Sequence, residues 1–389
     1  MFKDFSSYLQ ENSFLGASAY YFLSLPLVIQ IAFVFIFVAL IATLTAYGSI
    51  LMRRYRGYRR DQKLADILPR IDQLLTDHII LNDGLSQNIP VEEIELPLDE
   101  FRIPLFRTRE NRQMLIDRIV NYKKSFTGSI GALLRQLYLE LELDKVSAKK
   151  MKSAKWNRKV QGMIELTDMD MSISDVNILP LTNSKNRELR AEARNAYIKL
   201  SKNEPFKFFD VVTEPLLMWD QIELFKTITT TEEIAIPHFA RWVTYSSNKS
   251  IVSFCLKLIV HYNQQDAAQA VIRLLDNKDH ALRADAINCL GKLRCEEAEP
   301  RLISIYSNQP LNCQIEILKA LGRIDTGENI QFLRREFLQS SDFDIRKNAA
   351  KSLIKIKSVP RSLIDELIET GTAENQLILK HCMNPLIKF

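Results

Sequence analysis

The chain's freedom is limited first by a helical segment that returns at a nearly constant interval. Its clearest copy runs from Ala281 to Leu293 (ALRADAINCLGKL), the next from Asn312 to Ile324 (NCQIEILKALGRI) and a third from Asp344 to Ile356 (DIRKNAAKSLIKI). The closing residues Leu293, Ile324 and Ile356 stand 31 and 32 positions apart. Three such periods towards the N-terminus lies Leu200, which closes Glu188–Leu200 (ELRAEARNAYIKL). Ile222–Ile228 and Phe254–Ile259 are weaker copies near the registers between. A fixed period of this length marks a repeat array of five or six units. The length of 389 residues agrees, being long for a single core. Eleven glycines are too few for a turn-rich β chain.

Each copy is followed or preceded by a shorter helical partner, such as Ala267–Leu275 or Ala298–Tyr306, with joins at Asn277-Lys278-Asp279 and Gln309-Pro310. One such pair cannot bury its apolar face alone. Stacked neighbours complete a continuous core, which gives an all-α solenoid with one concave and one convex surface. The pattern resembles the HEAT-repeat family, armadillo-like and of the short-repeat kind, in Asp279, Arg283, Ala286, Leu290 and Gly291, and again in Asp344, Arg346, Ala349 and Leu353. The resemblance covers 180–360, and more loosely 110–389. It implies that the aspartates and arginines bond inter-repeat turns and helix ends, so Asp279, Arg283, Asp344 and Arg346 are assigned no site role.

From Leu27 to Met52 no charge interrupts an apolar run whose clearly polar members are Gln30, Thr43, Thr45 and Ser49. About 20 residues cross the hydrocarbon core of a bilayer, so a single transmembrane helix is expected. A cleaved signal peptide would have a shorter core and a basic leader, whereas residues 1–24 carry Lys3, Asp4 and Glu11. Arg53, Arg54, Arg56, Arg59 and Arg60 follow the run directly and place everything after it in the cytoplasm, against one lysine in the leader. These arginines mark a membrane surface, by topology or by contact with anionic lipid. Tyr20, Tyr21, Phe22, Tyr47, Tyr55 and Tyr58 suit an aromatic belt. Ala39, Ala42, Thr43, Ala46 and Ser49 share one face of the helix and form a candidate surface for a partner helix.

The expected layout is therefore a short non-cytoplasmic leader over 1–24 and a transmembrane helix over 25–52. A basic juxtamembrane segment, a helix and a proline-containing linker occupy 53–109, an N-terminal helical region 110–179, and HEAT repeats with a C-terminal cap 180–389. Within it, Leu64, Ile67, Leu68, Ile71, Leu74, Leu75 and Ile79 recur at helical spacing and predict an amphipathic helix over Asp61–Leu81. Prolines at 90, 97 and 104 and the acidic run Glu92-Glu93-Ile94-Glu95 predict an irregular segment. Lys145, Lys149, Lys150, Lys152, Lys155, Arg158 and Lys159 form a second basic cluster, read as a solvated helix face.

A formal charge of +5 is small for this length and argues against a general nucleic-acid binder. Cys255, Cys289, Cys295, Cys313 and Cys382 contain no CxxC pair, so neither a disulfide framework nor a zinc site is indicated. Glycine-rich phosphate loops, GxSxG, HExxH and calcium-loop signatures are missing. Histidines at 78, 238, 261, 280 and 381 stand singly, and Asp168-Met169-Asp170 and Glu296-Glu297 fall where carboxylates cap helices. No catalytic residue, cofactor, metal or nucleic acid is expected. The expected role is a scaffold in the cytoplasmic (inner) membrane that binds a protein, in particular a membrane protein or complex. The layout is similar to bacterial single-span HEAT proteins that look like accessory subunits of membrane glycosyltransferases making surface polysaccharide. An alternative follows from the short repeats, which are also similar to those of phycobilin lyases, enzymes that attach or isomerise tetrapyrroles. A DNA-binding HEAT protein would require a basic concave face.

Overall fold

A computed structural model describes residues 22, 24–86, 89–171, 175–201, 204–231 and 234–386. The leader residues Lys3, Asp4, Glu11, Tyr20 and Tyr21 lie outside them. Among the described residues every regular element is helical and no strand occurs. The chain divides into two compact units, one up to Leu137 and one from Tyr138.

The first unit is organised by α1 (Leu27–Leu75), a helix of 49 residues that continues as a π turn over Thr76–Ile80. At 1.5 Å per residue α1 is roughly 70 Å long. Its apolar part is long enough to cross a membrane, with a mean hydropathy of 2.9 in its best window and none of that window buried. A core helix of a soluble domain would hide such side chains. The sequence separates the apolar run from the helix over Asp61–Leu81, yet the two are one continuous helix. Nothing between them stops it: Gly57 is isolated, and arginine is a good helix former. Pro69 lies inside without an N–H to donate.

Burial along α1 begins only at its far end, at Ile67, Ile71 and Leu75, followed by Ile79, as the amphipathic pattern predicts. That stripe packs against α2 (Arg109–Ser125), which buries Leu115, Ile116, Ile119 and Val120. Thr108 starts α2 by accepting from the Asn111 N–H at 3.3 Å. Asp72 of α1 accepts from Arg118 Nη2 at 2.7 Å and from the Tyr122 hydroxyl at 3.2 Å. The proline-rich stretch between is irregular, as predicted. Its short turns tuck Ile94, Phe101 and Phe106 out of solvent, and Glu100 meets His78 at 2.8 Å.

From α3 (Gly128–Glu140) the chain enters the second unit with α4 (Leu143–Met151), α5 (Trp156–Asp168), α6 (Arg187–Leu200), α7 (Met218–Thr230), α8 (Ala240–Tyr245) and α9 (Lys249–His261). There follow α10 (Ala268–Arg273), α11 (His280–Leu293), α12 (Glu299–Ile305), α13 (Leu311–Ile324), α14 (Ile330–Gln339), α15 (Phe343–Lys355), α16 (Arg361–Thr370) and α17 (Ala373–Met383). Eight of these helices start in one register. Their N-caps are Lys155, Asn186, Leu217, Asn248, Asp279, Pro310, Asp342 and Thr372, successively 31, 31, 31, 31, 31, 32 and 30 residues apart. Consecutive members pack on one another: α5 on α6, α6 on α7, α9 on α11, α11 on α13, α13 on α15 and α15 on α17. The backbones of α7 and α9 approach each other least in this series.

Side-chain caps fix five of the eight starts. Asn186, Asn248, Asp279, Asp342 and Thr372 each accept a backbone N–H of the first turn, at 2.9 to 3.3 Å. The aspartate equivalent to Asp279 is thus Asp342. Asp344, matched to it in the sequence, sits two residues inside α15 and pairs with Lys347 at 2.7 Å. Arg283 and Arg346 are inter-repeat ties: Arg283 donates to the Asn277 carbonyl at 2.6 Å and to Gln309 at 2.8 Å, and Arg346 donates to Glu374 at 2.6 Å.

Glycine sets the closest crossings. A Cβ on Gly291 would stand 2.6 Å from Ala320 Cα, and one on Gly322 would stand 2.6 Å from Ser352 Cβ. Both distances are prohibitive, so these positions admit only glycine without a shift of α11 against α13 or of α13 against α15. Ser352 adds a hydrogen bond to the Leu318 carbonyl at 2.7 Å across the second crossing.

Candidate functional site

The arginines after the apolar run all lie on α1 and are exposed. At about 100° per residue Arg53, Arg56, Arg59 and Arg60 fall within roughly 120° of one side of the helix, and Arg54 points away from them. They form a stripe with one outlier. The Arg59 guanidinium lies 5.2 Å from the centre of the Tyr55 ring, an apolar body with a charged tip of the kind that suits a headgroup layer. Ala39, Ala42, Thr43 and Ala46 share one exposed face of α1. The hydroxyls of Thr43, Thr45 and Ser49 donate to the carbonyls of Ala39, Ala42 and Ala46 at 2.8, 2.9 and 2.7 Å. That face therefore presents small side chains with their donors already engaged.

The second basic cluster divides. Lys145, Lys149, Lys152 and Lys155 are exposed, as a solvated face requires. Lys150 instead turns inward to the buried Glu165, 2.6 Å from Oε1. Gly162 causes this, since a Cβ there would lie 2.5 Å from the Ser147 carbonyl oxygen and force α4 away from α5. Tyr138 and Ser147 complete the cluster, 2.7 Å apart, and Ser147 donates to Glu165. Ser147 and Tyr138 are fully buried, so within the second unit the group ties Tyr138, α4 and α5 together.

An open site lies where α7 and α9 separate. A groove of about 360 Å³ is lined by Phe225 of α7, by Ser253, Leu256, Lys257, Val260 and His261 of α9, and by Asp285, Asn288, Cys289 and Lys292 of α11. Its floor is apolar and its rim polar. Lys257 bridges the gap to Gln221 at 2.7 Å, Ser253 donates to Asp285 at 2.6 Å, and the Phe225 and His261 rings meet at 4.9 Å. Burial pushes the Cys289 thiol up to about 12, so it is a packed, protonated side chain and not a nucleophile.

The rim runs on as a charged strip across the next two repeat helices. Asn288 donates to Glu316 at 3.1 Å, and Glu316 also holds Lys319 at 2.7 Å and faces Arg323 at 3.8 Å. Lys351 and Lys355 of α15 follow. Burial, then the charges of Lys355, Lys319 and Arg323, hold the Lys351 ammonium below its ordinary range against an opposing pull from Cys382. Burial, then Arg323 and Arg294, do the same to Lys355, with Asp325 opposing. Six cations, Lys292, Arg294, Lys319, Arg323, Lys351 and Lys355, outnumber the carboxylates Asp285, Glu316 and Asp325 along this strip.

Sequence reasoning passed over these cations although the period contains them. Lys292, Arg323 and Lys355 are 31 and 32 residues apart, and Lys319 and Lys351 are 32 apart. Each set is one repeat position carried from helix to helix.

No protein-family model matches this chain, and no curated protein matches it.

Proposed function

We propose that this chain is a membrane-anchored HEAT-type α-solenoid scaffold that holds a protein partner on the face formed by its repeat helices. The apolar part of α1 crosses the cytoplasmic membrane, and the arginine cluster keeps the adjoining end on the cytoplasmic side. The second unit is the array, with α5, α6, α7, α9, α11, α13, α15 and α17 as one layer and the shorter helices as the other. The groove and strip of that layer supply the docking surface. In its specific form the scaffold is an accessory subunit of a membrane-bound glycosyltransferase making surface polysaccharide.

The observation that carries this reading is the common register of eight helix starts, together with packing that runs from neighbour to neighbour. Such an array exposes an extended surface in proportion to its length. The test is purification of the full-length protein from its native membrane in a gentle detergent, beside a variant lacking 25–52. A membrane enzyme retained by the full-length protein supports the reading, and retention by both forms places the contact on the array. If neither form retains a protein, the scaffold reading fails.

A further inference from the structure

We propose that the cation strip on α11, α13 and α15 is the docking site of an acidic segment of a partner protein, whose apolar side chains seat in the adjoining groove. This rests on the scaffold reading and names the chemistry of its partner.

Charge complementarity is the first argument. The strip carries twice as many cations as carboxylates, and Lys319 and Arg323 flank the single carboxylate of Glu316 at 2.7 and 3.8 Å; burial first, and neighbouring cations second, hold Lys351 and Lys355 below their ordinary range. An arriving carboxylate offsets the excess of positive charge along the strip. Complementary potentials of this kind steer encounter and fix register.

The backbone supplies the second. Asp170, Asn263, Arg294 and Asp325 all adopt a left-handed conformation just after a repeat helix, with φ of 52°, 49°, 55° and 70°. Asparagine and aspartate tolerate that region, whereas arginine has no local hydrogen bond to offset its strain. Among these four Arg294 is the exception, as Glu142 is after α3 with φ of 54°, and its charge bears on Lys355. A strained residue that adds a cation to a cation-rich strip fits a binding role.

The third argument separates a peptide from other polyanions. A bilayer surface needs cations on one open plane, but Lys319 and Arg323 are 36% and 23% exposed and flank Glu316, itself 17% exposed. A nucleic acid carries phosphate at every step, and Asp285 and Glu316 along the same helices would repel it. An acidic peptide spaces its carboxylates with neutral residues and brings apolar side chains for the Phe225, Leu256 and Val260 floor.

The experiment uses the full-length protein in nanodiscs of neutral lipid. A fluorescent peptide of alternating glutamate-rich and leucine positions is titrated, followed by its lysine-for-glutamate counterpart, single-stranded DNA and anionic phosphatidylserine vesicles. The wild type should bind the acidic peptide alone among these, and added salt should weaken it. Binding should fall roughly tenfold or more in K319E/R323E/K355E. Should that variant fail to fold by circular dichroism, K319Q/R323Q/K355Q decides. Arg294→Asn should melt higher and yet bind the peptide less tightly, a pairing that a purely structural arginine would not give. Equal peptide affinity in wild type and strip variant overturns the inference, as does strip-dependent binding of the DNA or the vesicles in its place. If the purification retains a partner while the peptide ignores the strip, the inference fails and the scaffold reading stands. If no partner is retained, the scaffold reading fails.

Discussion

The helices between Arg187 and His261 and those between His280 and Lys355 keep the same 31-residue period with different materials. In the later set, Gly291 and Gly322 let neighbouring backbones touch, against Ala320 and Ser352. In the earlier set the space is filled by rings. Phe206, Phe208, Phe209, Phe239, Trp242 and Phe254 form a chain of contacts with centroids 4.7 to 6.4 Å apart, and Trp242 Nε1 donates to Asp210 at 2.7 Å. A repeat can therefore hold its spacing by removing side chains at a crossing or by filling a wider gap. The groove opens between α7 and α9 and is closed on its far side by α11, at the seam between the two solutions.

This comparison breaks first at its heaviest part. Phe209, 2% exposed and in contact with four other rings, should cost about 3–5 kcal/mol when truncated to alanine. Chemical denaturation of a purified Phe209→Ala protein would measure it. A cost under about 1 kcal/mol would mean that the rings do not carry the earlier half.

Gly322→Ala should come next, with a loss of about 1–3 kcal/mol from overpacking at the α13–α15 crossing. A neutral result would show that the crossing has slack and that glycine is incidental there.

Asp279→Ala sharpens the argument about register, since loss of the cap should cost about 1 kcal/mol. Lys249 first, then the N–H groups of Ala281 and Leu282, hold the Asp279 carboxyl below its ordinary range. Its contribution is therefore complete at neutral pH and is lost as the pH falls through that depressed value. Melting curves of wild type and Asp279→Ala should converge in strong acid, and curves that stay equally separated would contradict the cap.

The smallest effect has the opposite sign. Arg294→Asn should stabilise the protein by up to roughly 1 kcal/mol by relieving its left-handed conformation. A destabilised variant would mean that Arg294 makes a structural tie.

The later set was legible because its helices repeat both small residues and caps at fixed offsets. The earlier set was fainter, since Pro205, Pro215 and Pro237 punctuate long connections and the rings that fill them follow no period. The start at Lys155 was hidden for another reason: α5 shows Arg158 where the later copies show Leu282, Cys313 and Ile345, and Gly162, touching α4, where two of them show Ala286 and Ala349. Asp342 and Asp344 are two residues apart, and only geometry tells the cap from its neighbour. The arginine cluster was plain in the sequence, but its place on a single helix unbroken from Leu27 to Leu75 was not. The cation strip was present as one position repeated three times, yet a charge at one site per turn looks like ordinary solvated surface until neighbouring helices place three of them side by side.

The most direct test of the account is a photo-crosslink in native membranes, with p-benzoylphenylalanine placed at position 292 on the groove rim of α11 and, separately, at position 301 on α12. The account predicts that position 292 captures a protein partner through an acidic segment and that position 301 captures none. Equal capture at both positions, or none at 292, would contradict the claim that the repeat helices form the docking face.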